Sequence, residues 1–139
     1  MRYQDLYYIV KLEFSTVCYY REGQEEITSI DLWLNKLFNE KLKDYKAYKK
    51  VLKKVIKVSQ MAPIYYDRNL LLWQMKAIDK TRFYINYYQI KDIKYHNFYV
   101  QIIFKDERVL YIKKSRQSVY RDLNKIKKVI NYLEINNIE

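Results

Sequence analysis

Glycine and proline are almost missing: one of each occurs in 139 residues. That leaves no flexible linker and few turns built on a left-handed backbone, so the chain reads as a single domain over residues 1–139. The one cysteine, Cys18, excludes an internal disulfide and suits a reducing compartment. No apolar run approaches the roughly 18 residues of a membrane span. The start, Met1-Arg2-Tyr3-Gln4-Asp5, lacks the apolar core and small-residue cleavage site of an export signal. The expected location is the cytoplasm.

Catalytic chemistry is also short of parts. A lone histidine and a lone cysteine cannot build a Cys/His zinc centre. A single glycine excludes the phosphate-cradling loop and the dinucleotide fingerprint, both of which need close backbone approach to phosphate. Cys18 and His96 are in principle a nucleophile and a base. Cys18, however, sits in an apolar strand as a structural thiol does, and His96 lies between Tyr95 and Asn97 in a loop before a strand. Glu25, Glu26 and Asp31 gather before the first helix, where the helix dipole accounts for acids without paired-carboxylate catalysis. The expectation is a protein that is not an enzyme and has no cofactor.

What the chain does have is positive charge, 27 Lys plus Arg against 16 Asp plus Glu, for a net +11. An AT-rich genome inflates Lys, Ile, Tyr and Asn together, but it does not favour Lys over Asp or Glu. The basic excess therefore outlasts that correction and points to an anionic partner. Half the residues are apolar, with 17 Tyr and 5 Phe, enough for a packed core and far too hydrophobic for a disordered chain.

Residues 6–20 are rich in Tyr, Ile, Val and Phe and read as one strand, or as two broken near Ser15 and Thr16. Arg21-Glu22-Gly23-Gln24 is the clearest turn, since Gly23 alone takes positive φ cheaply. A helix starts at Thr28 or Ser29, with Ile30, Trp33, Leu34, Leu37, Phe38 and Leu42 spaced by threes and fours. Residues 44–58 fit either a continued helix (Tyr45, Tyr48, Leu52, Val55, Ile56) or a β-branched strand over 51–58. Ala62-Pro63 ends any helix. Strands are then expected at 64–66, 70–75, 82–90, 98–104 and 109–113, the last two joined by Lys105-Asp106-Glu107-Arg108. A closing helix follows from Val119, Leu123, Ile126, Ile130 and Leu133. The class is α+β, a mostly antiparallel sheet packed on an internal basic helix region and a C-terminal helix. The strand-strand-strand-helix ending is similar to a pleckstrin-homology-like half-barrel closed by its last helix.

Positive charge concentrates in residues 36–57. Lys46, Lys49, Lys50, Lys53, Lys54 and Lys57 fall there, and on a helix Lys46, Lys49, Lys50, Lys53 and Lys57 share a face. Like charges so placed cost a few tenths of a kcal/mol per pair, a cost that phosphates relieve. Lys113, Lys114, Arg116 and Arg121 make a second cluster. Lysine outnumbers arginine in both, which favours phosphate contacts over bidentate reading of guanine. Neither a helix-turn-helix nor a set of RNP aromatics is present. The same face also suits a solvated helix or an interaction module docking a protein partner or an anionic membrane surface.

One family shares this order of features. The run Lys57-Val58-Ser59-Gln60-Met61-Ala62-Pro63-Ile64-Tyr65-Tyr66-Asp67 resembles the Lys/Pro-Pro-Ile-hydrophobic segment of the competence transcription factor ComK family. Tyr84-Ile85-Asn86-Tyr87-Tyr88-Gln89-Ile90-Lys91-Asp92-Ile93 is similar to its Trp-Ile segment and following strand. Val100 to Leu110 is similar to its Phe-x-Gly hairpin, followed by Ser and a final helix. Trp73-Gln74-Met75 stands where the family has Phe-Pro-Thr. The resemblance implies a transcriptional regulator of competence type that binds AT-rich promoter duplex DNA, largely from the minor groove. It also implies self-association into a homo-oligomer and control by an adaptor and protease.

Overall fold

The computed structural model describes residues 2–41, 44–55 and 61–135. Its centre is a six-stranded sheet in the order β3-β2-β1-β6-β5-β4, made of β1 (Leu6–Lys11), β2 (Thr16–Tyr20), β3 (Gln24–Ile27), β4 (Ile64–Asp67), β5 (Leu70–Lys76) and β6 (Arg82–Asn86). A second sheet holds β7 (Ile90–Tyr95), β8 (Val100–Phe104) and β9 (Val109–Ile112), in that order. All pairings are antiparallel. With the helices α1 (Ile30–Glu40), α2 (Tyr45–Val55) and α3 (Arg116–Ile135), the architecture is the expected α+β, closed by a C-terminal helix.

Both faces of the central sheet are covered, and that explains the unbroken apolar run in β5. Leu70 and Leu72 point to one face, where Leu6, Ile9 and Tyr84 meet Ile30, Leu34, Leu37 and Phe38 of α1 and Tyr45 of α2. Leu71, Trp73 and Met75 point to the other, against Val100, Ile102, Phe104 and Ile112 of the small sheet and Val119, Ile126, Val129 and Leu133 of α3. A strand buried on both sides loses its period of two. The α2 helix also guards the β4 edge. Its Tyr48 hydroxyl accepts the Tyr65 amide at 2.8 Å and donates to the Pro63 carbonyl at 3.0 Å, satisfying strand groups that an open edge leaves unpaired.

The open alternatives resolve, and other expectations are corrected. Residues 6–20 form two strands, joined by a turn in which the Leu12 amide donates to Ser15 at 2.8 Å. Gly23 does not adopt positive φ: it is the closing residue of the turn, exchanging bonds with Tyr20 across Arg21 and Glu22, and Met61, Lys80 and Glu107 take that conformation instead. Glu25 and Glu26 lie on the edge strand β3 opposite Cys18 and Val17, so only Asp31 sits in the first turn of α1. Ser29 is the cap, its hydroxyl accepting the Leu32 amide. Residues 45–55 are helical, begun by the Asp44 carboxylate, which accepts the amides of Lys46 and Ala47.

The strand expected at 82–90 is two strands split at Asn86. That fully buried amide donates to the carbonyls of Leu6 and Asn69 and accepts the amides of Leu71 and Tyr88. It turns the chain through a short 3₁₀ segment (Tyr87–Gln89) into β7 and the second sheet. Phe98, expected within a strand, instead occupies the β7–β8 turn. No helix among the described residues is long and apolar enough to cross a membrane.

Candidate nucleic-acid interface

Tyr45, Tyr48 and Leu52 turn the inner side of α2 toward the core. At 100° per residue, Lys49, Lys53, Lys46, Lys50 and Lys54 then follow one another around a single flank, within an arc of about 140°. The opposite flank carries Ala47 and Val51. All five lysines are exposed. Lys49 also rests over the ring of Tyr45, its Nζ 4.6 Å from the ring centre. Lys57 lies outside the described residues.

The lysine flank borders a cleft of about 460 Å³ between α2, the first turn of α1 and the end of the central sheet. Its cations are Lys11, Lys49, Lys50, Lys53 and Arg82, against one carboxylate, Asp31. Tyr45, Tyr84 and Gln74 supply polar groups. Burial raises the pKa of Tyr45 above the ordinary tyrosine value, with Asp31 adding to the effect. Burial does the same to Tyr84, opposed by Arg82. Both are therefore neutral hydroxyls at physiological pH.

The register at this sheet end brings further cations together. Lys11 of β1 lies directly opposite Arg82 of β6, and Arg82 lies directly opposite Lys76 of β5. Partners so placed project on one side of the sheet, with Cβ atoms about 5 Å apart, and like charges there are destabilising. That side is the α1/α2 side, since Arg82 alternates with Tyr84 and Lys11 with Ile9. Among the described residues, none of Lys11, Lys49, Lys50, Lys53, Lys76 and Arg82 forms an ion pair. Three strands thus end in a row of unneutralised cations beside a lysine-bearing helix.

The second cluster divides. Lys113 and Arg116 are exposed, and the Arg116 guanidinium stands over the Tyr95 ring at 5.1 Å. Lys114 is buried: its ammonium donates to the Lys76 carbonyl at 3.2 Å and lies 3.4 Å from Asp122. Asp122 also accepts the indole N–H of Trp73. Lys114 is therefore committed to joining β5 and α3, and the Lys113 carbonyl accepts the Ile78 amide in the β5–β6 turn. The two clusters belong to opposite layers of the molecule. Lys76, Arg82 and Lys11 bridge them around the sheet end.

Comparison with protein-family models, curated proteins and solved structures finds no match.

The nucleophile and base named from sequence are held apart. Cys18 is fully buried on β2, and burial pushes its thiol up to about 12. His96 is in the β7–β8 turn of the other sheet, 3.0 Å from the Gln101 side chain and stacked on Tyr99. Among the described residues, no three His, Cys, Asp or Glu side chains converge as a metal site. The sequence singles out the α2 lysines but not Lys11, Lys76 and Arg82 beside them. Each ends the core-facing alternation of its strand with a cation, a signal that gains meaning only once the pairing register is known.

Proposed function

We propose that this protein is a non-enzymatic regulator that binds duplex DNA through the basic band running from α2 around the end of the central sheet. The observation carrying this reading is the row Lys11, Arg82, Lys76, set beside Lys49, Lys50 and Lys53. A fold gains nothing from stacking like charges across three strands, whereas a linear polyanion turns that repulsion into attraction. Lys46 and Lys54 extend the band on α2, and Lys113 and Arg116 extend it on the far layer. Lys114 supports it from below. The resemblance to the ComK family adds AT-rich promoter DNA as ligand, competence-type transcription control as role and the cytoplasm as workplace. A lysine-dominated band is in keeping with that, since narrow A-tract grooves attract cations without base-specific forks.

The test is equilibrium binding to AT-rich and GC-rich duplexes over a range of salt, beside vesicles of phosphatidylserine. The expected result is tight, salt-dependent binding that favours the AT-rich duplex. Replacing Lys49, Lys50 and Lys53 together by Gln should lower the slope of log affinity against log salt by roughly three. Binding to vesicles and to neither duplex would contradict the proposal.

A further inference from the structure

Two turns of this fold are built alike. Leu12-Glu13-Phe14-Ser15 joins β1 to β2 and closes with the Leu12 amide on the Ser15 carbonyl at 2.8 Å. His96-Asn97-Phe98-Tyr99 joins β7 to β8 and closes with the His96 amide on the Tyr99 carbonyl at 3.0 Å. Each places phenylalanine third. Of the five Phe in the chain, Phe38 and Phe104 are buried and Phe83 is half-buried. Phe14 and Phe98 are 91% and 81% exposed.

Topology sets both turns at one end of the molecule. The β1–β2 turn stands beside the β5–β6 turn, because β1 and β6 pair through Lys11 and Arg82. The β5–β6 turn meets the other layer where the Ile78 amide donates to Lys113, just past the end of β9. The β7–β8 turn lies next to that point, since Val100 pairs with Ile112. Ile78 is itself 70% exposed. The cations here are Lys11, Lys76, Lys80, Arg82, Lys113 and Arg116, while the acids in these turns are Glu13 and Asp79. Single exposed apolar residues are ordinary; here Phe14, Ile78 and Phe98 stand on three separate turns of one strongly cationic end.

We infer that Phe14 and Phe98 act as wedges that enter between stacked base pairs of a bound duplex and kink it, an inference that rests on the DNA-binding reading above. Phe and Ile are side chains that serve as such wedges, and cations beside them hold the phosphates on either side of the opened step. A flat lipid surface fits less well. The apolar side chains project from separate turns rather than forming one continuous patch, and of the adjoining cations Lys11 and Arg82 line a concave cleft continued by Lys49, Lys50 and Lys53 of α2. A cleft of that shape follows a strand better than a plane.

The experiment uses the full chain and an AT-rich duplex of about 30 bp, carrying a dye at each end and 2-aminopurine inside. On binding, the end-to-end energy transfer and the 2-aminopurine fluorescence should both rise, corresponding to a kink of about 20–90°. Phe14→Ala with Phe98→Ala should keep the salt slope within about one while returning both signals toward free duplex. Phe14→Leu with Phe98→Leu should retain them. If wild-type protein binds and both signals stay at their free values, the wedge falls and the DNA-binding reading stands. If no salt-dependent binding to duplex occurs, both fall. If the alanine pair loses only binding to phosphatidylserine vesicles, the turns dock on lipid and the wedge is wrong.

Discussion

Asp67 shows how much one polar side chain does here. It accepts hydrogen bonds from the Tyr3 hydroxyl, the Lys41 ammonium (2.7 Å) and the Asn69 amide (2.8 Å), tying β4 to the N-terminal segment and to the end of α1. Partial burial alone would push its carboxyl up, but Lys41, Tyr3 and Asn69 outweigh it and hold it below the ordinary value. A carboxyl depressed in the fold stabilises above its unfolded pKa of about 4 and loses that contribution as pH falls through the folded value. Asp67→Asn should therefore cost about 1 kcal/mol at pH 7, with the deficit shrinking below about pH 4. Urea midpoints at pH 7 and pH 3 measure this, and an equal deficit at both would exclude the assignment. None of these bonds was legible in the sequence, for Asp67, Tyr3 and Lys41 are brought together only by the tertiary fold. Asn86 is similar: in sequence it is a polar residue inside an apparent strand, and only its four partners explain why the strand ends there.

At the scale of elements, periodicity revealed most of what burial dictates. The α1 and α3 stripes, the buried run of β5 and the β8–β9 hairpin were all readable, because each buries a regular face. Residues 45–55 were ambiguous because β-branched Val51 and Val55 compete with helical spacing; the Asp44 cap and the Tyr48 anchor to β4 decide for helix. The edge strand β3 was hidden by its composition, Gln-Glu-Glu-Ile, in which charge protects an edge rather than filling a core. The cation row belongs to this scale too. Arg82 faces a like charge on each side, so Arg82→Gln should stabilise the fold by about 0.5–1 kcal/mol in chemical denaturation. A stabilised variant that binds duplex more weakly is the signature of a side chain kept for its ligand. Lost stability would mean that Arg82 serves the fold instead.

For the whole molecule, charge was legible as an amount but not as a shape. The sequence separates a cluster before Pro63 from another around Arg116, and the fold sets them in opposite layers. What unites them is the end of the central sheet, where Lys11 of β1 joins Lys76 and Arg82 of the β5–β6 hairpin, far away in the chain. The same end carries the exposed turns, so attraction and apolar contact are offered to one partner together. The most direct test is the salt dependence of duplex affinity for wild type and for Lys11→Gln/Lys76→Gln/Arg82→Gln. If the sheet end tracks phosphates, the triple variant stays folded, binds more weakly at low salt and loses roughly three from its slope of log affinity against log salt. A folded triple variant whose slope equals that of wild type would contradict the account.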